Sequence, residues 1–293
     1  MKRTRIRYKK LAAFLLAIAA VIAGLCYGIS ALFFSSGNSG VPHTDDPEYY
    51  LFIGTEDRTA PQADSVLLVS VSRALQEVYV ISLPGNTKIS RPSEPLLLLR
   101  DAYTGQGGAE QMVSAVENLL HIRVGHYAVW DRSAFSSFMT KFGGVDLYVE
   151  KDMVHHDGEG NQDIGIRRGF QTLSGDYAYG YMRYIDKDSG ELGRVQREER
   201  FMKAFVEQGR KNLRAMNGVL TYTGWNMADT NLDKREAAML AYDLTGYGLE
   251  KFHFLILPGE SKTESRQVLW EVNPIGLQKI VGLTIGDNTE HKG

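Results

Sequence analysis

Residues 11–34, LAAFLLAIAAVIAGLCYGISALFF, carry no charged side chain over 24 positions. As a helix this run is about 36 Å long, enough to cross a hydrocarbon core of about 30 Å. Six Lys or Arg and no acid precede it in MKRTRIRYKK, residues 1–10. A cleaved secretion signal has an apolar core of roughly 7–15 residues, shorter than this one. A lipid-anchored cysteine at Cys26 would want a small residue just before it, and Leu25 stands there. The expectation is an uncleaved single-pass anchor at the cell membrane. The basic tail stays in the cytoplasm, and everything after residue 34 is extracellular.

Charge and cysteine usage then bound the external part. Removing the six basic residues of the tail from the net charge of −2 leaves −8 for the remainder. General nucleic-acid binding favours a basic face, so it is not expected here. Cys26 is the only cysteine, so the external domain has no disulfide and relies on its core.

Residues 35–47, SSGNSGVPHTDDP, form a polar linker rich in Ser and Gly. Apolar runs at Tyr49–Ile53, Ser65–Val71, Glu77–Leu83, His126–Trp130, Val145–Val149 and Phe252–Leu257 predict strands. Met112, Val113, Val116, Leu119 and Leu120 recur at helical spacing within 108–120. Phe135, Phe138, Met139 and Phe142 do so within 132–142, which Gly143-Gly144 ends. Further helices are expected over 173–183, 195–213 and 233–244, with Met202, Phe205 and Val206 on an apolar side. Residues 151–169 are polar and Gly-rich and predict a surface excursion. The fold class that follows is α/β, a mixed central sheet with helices on both faces. Residues 48–215 form the main domain. Residues 216–286 are expected to complete it, since Phe252–Leu257 needs a sheet to pair with, and 287–293 form a disordered tail. No GxGxxG or GxxxxGK loop occurs, so a nucleotide fold is not indicated.

The densest polar stretch is YMRYIDKDSGELGRVQREER, residues 181–200. Arg194 and Arg197 are three apart on a helix expected to begin near Gly193. Two guanidinium forks there suit a phosphate or pyrophosphate. The competing reading is a solvated helix with salt bridges to Glu191, Glu198 and Glu199. Glu56, Asp57 and Asp64 flank the first two strands and would meet at one sheet edge. Paired carboxylates beside phosphate-binding arginines suit Mg²⁺, and turn acids are the alternative. The seven histidines lack metal-ligand spacing and are read as structural.

These segments resemble the LytR-CpsA-Psr family of bacterial cell-envelope proteins. The matching pieces fall in the family's order over about residues 50–210: LFIGTEDR, ADSVLLVSV, VYVISLPGNTKI, DAYTGQGG, FGGVDLYVE, GFQTLSGDYAYGYMRY and GELGRVQRE. The resemblance implies an α/β sandwich with an apolar slot for a polyprenyl chain. It implies a phosphotransferase that uses Mg²⁺ and moves a glycopolymer from a polyprenyl-pyrophosphate carrier to peptidoglycan or another wall acceptor. By the same resemblance Asp64, with Glu56, is metal-associated, and Arg183, Arg194 and Arg197 are catalytic. The family is also named for transcriptional attenuation, a role that an external acidic domain does not support.

The chain departs from the family pattern at several of these positions. Gly85 and Asn86 stand where the family has Arg-Asp, Ile185 where it has a second arginine, and Leu98 where it has a lysine. Glu198 replaces a glutamine. Each charged hydrogen bond to phosphate is worth about 1.5–3 kcal/mol, so the lost cations weaken the anion site unless others substitute. Lys88, Arg100 and Arg58 are the candidates, with Asn86 kept in the substrate-binding set. Three functions follow: a divergent active transferase, a non-catalytic protein binding a lipid-linked glycan or envelope partner, or a hydrolase of the same pyrophosphate. A cation in the space around Gly85 favours the enzyme; an apolar or acidic fill favours the binding protein.

Overall fold

The computed structural model describes residues 47–285, except 61, 91–93, 106 and 265, and the side chains of 210–223 and 225. The expected tail, membrane anchor and most of the linker lie outside the described residues. Among the described residues no helix is long and apolar enough to cross a membrane.

Strands β1 (Glu48–Thr55), β2 (Ser65–Ser72) and β3 (Glu77–Ser82) form an antiparallel meander. After α1 (Ala109–Leu120), β4 (His126–Asp131) returns parallel to β1. Asp131 caps α2 (Arg132–Phe142) by accepting from the Ala134 N–H, and Gly143 ends that helix at φ +96°, a conformation suited to glycine. Two short pairs follow. β5 (Val145–Val149) lies against β8 (Gly169–Leu173), and β6 (Met153–His156) against β7 (Gln162–Ile166). Helices α3 (Gly175–Arg183) and α4 (Gly190–Trp225) come next, then β9 (Asp229–Thr230), α5 (Lys234–Gly246), β10 (Phe252–Ile256), the hairpin β11 (Gly259–Glu264) and β12 (Gln267–Val272), and α6 (Pro274–Thr284).

The central sheet is mixed, in the order β10-β3-β2-β1-β4-β9, with β10 parallel to β3. The period of two along a strand sorts its side chains onto two faces. Leu51, Ile53, Val66, Leu68 and Ile81 pack with Met112 and Val116 of α1 and Ile280 of α6. Tyr50, Leu67, Val71, Val78 and Val80 face α5 through Ala237 and Leu240. A further core joins the two small strand pairs to α2, α3 and α4, around Met139, Val145, Met153, Ile164, Tyr181 and Phe201.

Three segments differ from the expectation. Residues 151–169 are not a bare excursion but contain β6 and β7, whose Met153, Ile164 and Ile166 are buried. Helix α4 starts at Gly190 and runs on to Trp225, because no proline interrupts it. The β11–β12 hairpin and α6 were not expected.

Candidate functional site

At the end of β1 the chain passes from Thr55 to Glu56. Asp64 is held at the start of β2 by its own N–H, which donates to the Gly54 carbonyl at 2.8 Å. A Cβ at Gly54 would stand 3.2 Å from Ser65 Cβ, so glycine lets the two strands close up here. Helix α3 presents Tyr179 and Arg183, four residues apart and therefore on one face. The Tyr179 hydroxyl lies 3.0 Å from Glu56 Oε2 and 2.8 Å from Asp64 Oδ2. Arg183 pairs with Glu56 at 2.9 Å. Arg132, first residue of α2, pairs with the other Glu56 oxygen at 3.1 Å and lies over the Tyr179 ring.

One phenolic proton cannot satisfy two ionised carboxylates. Glu56 has two arginines besides, but among the described residues Asp64 has only the shared phenol as a hydrogen-bond donor to its side chain. Burial pushes the Asp64 carboxyl above the usual range, against the Tyr179 hydrogen bond and the nearby Arg183 and Arg194. Burial and the adjacent Asp64 likewise push the Tyr179 phenol far up.

Arg194 comes from α4 and is buried. It grips Glu191 with two hydrogen bonds of 3.0 and 2.7 Å. Its NH1 lies 3.6 Å from Glu198 Oε2 and makes no hydrogen bond among the described residues. Burial opposes the Arg194 charge, yet Glu198 and Glu191 hold it firmly protonated. Glu198 is 0% exposed and also accepts from the Ser65 hydroxyl. Burial dominates and pushes its carboxyl up, with Arg194 opposing.

Asp64, Arg183 and Arg194 line part of an otherwise apolar cavity of about 360 Å³. Its floor is the sheet face of Phe52, Leu67, Val69 and Val80, and its walls include Phe135, Phe138, Met202, Phe205 and Leu240. The aromatic faces expected for α2 and α4 thus enclose open space.

The other residues singled out from sequence go elsewhere. Arg197 is 1% exposed but turns from the mouth. It lies 3.5 Å from both Glu150 and Asp186, donates to the Tyr184 carbonyl and stacks over the Tyr184 ring. The expected shared fork of Arg194 and Arg197 is therefore absent, and neither is solvated. Asn86 is buried and donates to the Val268 carbonyl of β12 at 3.0 Å. Lys88 pairs with Glu264 of the same hairpin at 2.7 Å. Arg58 pairs with Asp131 at 3.0 Å and donates to the Met227 carbonyl. None of these three lines the cavity. Leu98 is buried and Ile185 is exposed, and neither brings a charge to the site.

Arg100 differs. A Cβ at Gly85 would stand 3.4 Å from Arg100 Cβ and 3.5 Å from Glu191 Oε1. The Arg100 N–H donates to the Gly85 carbonyl at 2.9 Å. The Arg100 Nε is buried without a hydrogen-bond partner among the described residues. That Nε lies 3.8 Å from Asp101 Oδ1, and Arg100 does not line the cavity either, but the space beside the uncharged loop tip does hold a cation.

Tyr179, Arg132 and Asp163 belong to this site but were not singled out from sequence. Asp163 Oδ2 lies 3.5 Å from Arg183. The four-residue spacing of Tyr179 and Arg183 was the available signal; Arg132 and Asp163 carried none.

Among the described residues no cluster of three or more His, Cys, Asp or Glu is arranged to hold a metal. Mg²⁺, however, commonly takes only one or two carboxylates plus phosphate oxygens. Two carboxyls facing one phenol, one of them short of donors, fit that donor set.

Fold and site together define an α/β domain built around an apolar cavity with acids and arginines at its mouth. The LytR_cpsA_psr family model matches residues 33–282, and the chain belongs to that family. TagU of Halalkalibacterium halodurans, named a polyisoprenyl-teichoic acid–peptidoglycan teichoic acid transferase, is 24% identical over 241 residues, which is 73% of this chain and 75% of that protein. The regulatory protein MsrR of Staphylococcus aureus is 26% identical over 157 residues, covering 53% of this chain and 45% of its own length. The crystal structure of TagV of Bacillus subtilis superposes with a TM-score of 0.69 at 21% identity, covering 85% of this chain and all of that one. A structure of TagT bound to LI-WTA gives 0.66 at 22% identity, covering 86% of this chain and 94% of that one. These structural likenesses show a shared fold.

Proposed function

We propose that the chain is a membrane-anchored extracytoplasmic phosphotransferase. It moves a glycopolymer from a polyprenyl-pyrophosphate carrier to peptidoglycan or another wall acceptor. The observation that carries this reading is the placement of Asp64, Arg183 and Arg194 at an apolar cavity. A lipid pyrophosphate needs apolar volume for its tail and cations for its head, and both meet here. The TagU name and the TagT complex support the same substrate class.

In this reading the polyprenyl chain lies between the sheet and α4 and α5. Arg183 and Arg194 hold the pyrophosphate with charge-assisted hydrogen bonds. Arg100 supplies the cation that Gly85 lacks, which favours an active enzyme over a binding protein. Asp64 and Glu56 would hold Mg²⁺, which offsets pyrophosphate charge when bound. Tyr179 and Arg132 keep Glu56 and Asp64 in register, and the apolar walls exclude water from the head-group.

The test uses the full-length chain in detergent, a polyprenyl-pyrophosphate glycan and an oligosaccharide acceptor, with and without Mg²⁺. Expected is Mg²⁺-dependent release of lipid phosphate with transfer to the acceptor. Release without transfer would make the protein a pyrophosphatase, and tight binding without release a binding protein. Arg100→Ala should weaken binding of the carrier about tenfold or more, one charged hydrogen bond's worth. Unchanged affinity would remove Arg100 from the site.

A further inference from the structure

We propose that His155, oriented by Asp163, is the catalytic base that takes the proton from the attacking acceptor hydroxyl. The proposal rests on the transferase reading above.

The β6–β7 ladder pairs His155 with Ile164 and His156 with Gln162, leaving Asp163 as an extra residue at a bulge. Bulges re-aim side chains and recur beside active sites. Here Asp163 reaches two partners: Oδ1 lies 2.6 Å from His155 Nδ1, and Oδ2 lies 3.5 Å from Arg183 NH1. Helix α3 packs directly on β7 at Gly180, where a Cβ would stand 3.4 Å from Ile164 Cγ2. That close approach brings Arg183, three residues on, to Asp163. The same Arg183 NH1 pairs with Glu56 and the residue lines the cavity mouth. The His–Asp pair is therefore one guanidinium away from the expected pyrophosphate position.

The tautomer follows from the partners. Partial burial opposes ionisation of Asp163, but the hydrogen bond with His155 and the Arg183 charge keep its carboxyl below the usual range. An ionised carboxylate only accepts, so Nδ1 donates to Asp163, and in the neutral ring Nε2 then carries the lone pair. Nε2 has no hydrogen-bond partner among the described residues, and the His155 side chain is 45% exposed, open to an incoming glycan. Asp163 on β7 is paired with the ring, and Arg183 on α3 is paired with the other oxygen of Asp163. Glu56, by contrast, is held by Arg132, Arg183 and Tyr179.

The step balances. The acceptor hydroxyl oxygen bonds to the glycan-bearing phosphorus, and its proton passes to His155 Nε2. The bond from that phosphorus to the bridging oxygen breaks. The oxygen keeps the electron pair and leaves as polyprenyl monophosphate.

The test compares full-length wild type, His155→Gln, His155→Ala and Asp163→Asn in the transfer assay. For His155→Gln, kcat should fall about 100-fold, carrier binding should stay as in wild type, and the acid limb of the kcat–pH profile should vanish. Added imidazole should restore part of the rate in His155→Ala. Asp163→Asn, a positioning variant, should lower kcat while keeping an acid limb. Wild-type kcat with an intact acid limb in His155→Gln would overturn the proposal and leave the transferase reading standing. A lowered kcat with an unchanged profile and no imidazole rescue would also overturn it, as a merely structural effect. A wild type that transfers nothing would overturn both.

Discussion

The backbone N–H of Gly85 donates to Glu191 Oε1 at 2.8 Å, and that same oxygen receives Arg194 NH2 at 2.7 Å. The uncharged loop tip is thus bound, through one acid, to the arginine that faces the cavity.

Glu191→Ala should consequently cost more than a surface ion pair. It leaves a buried guanidinium with one carboxylate instead of two and strands the Gly85 N–H. Breaking a buried pair from one side costs about 3–5 kcal/mol. With Glu198 still present the lower end is expected, read as a shift in urea midpoint at unchanged slope. A loss below about 1 kcal/mol, the range of an exposed pair, would show that the pair contributes nothing of this kind.

Asp64 gives the pH dependence a sign. Its folded pKa is raised, by burial, above its unfolded value. Its protonated form therefore stabilises the fold fully below the unfolded carboxylate pKa, and this is lost as pH rises through the folded pKa. Asp64→Asn should remove that slope and raise the melting temperature at neutral pH, while abolishing Mg²⁺-dependent transfer. Thermal melts of both proteins across this acid-to-neutral window check it. A variant less stable than wild type at neutral pH would contradict the assignment.

The cavity predicts a length-dependent effect. Ala237 is buried on α5 and lines the open space. Ala237→Phe places a ring in existing volume, so little overpacking is expected. Affinity for a long polyprenyl pyrophosphate should drop at least tenfold, while a short-chain analogue keeps most of its affinity. Calorimetric titration with both lipids checks this, and equal losses would place the tail elsewhere.

Much of the sheet was legible because its signal is local. Near-continuous apolar runs at Tyr49–Ile53 and Ser65–Val71 mark strands with two apolar faces, and Gly143-Gly144 marks the end of α2. The β11–β12 hairpin escaped notice because its first strand, GESKTE, is polar and exposed. The β6–β7 pair escaped because a bulge breaks its alternation. Within α4, three residues fall about 60° short of a full turn. That offset sends Arg194 to the sheet with Glu191 and Glu198, and Arg197 to Glu150 and Asp186.

The sequence by itself determined most of the central sheet and its covering helices, the family resemblance and the residue types of the site: Glu56 and Asp64 at strand ends, Arg183 and Arg194 on helices. These follow from periodicity, caps and motif order, which act over a few residues. Only the tertiary structure decided which side chains meet. It set Tyr179 between two acids, Arg100 beside Gly85 and Asp163 between His155 and Arg183, while turning Asn86 and Lys88 to the β11–β12 hairpin. Such meetings depend on helix rotation, strand register and a single bulge, and each joins residues far apart in the chain.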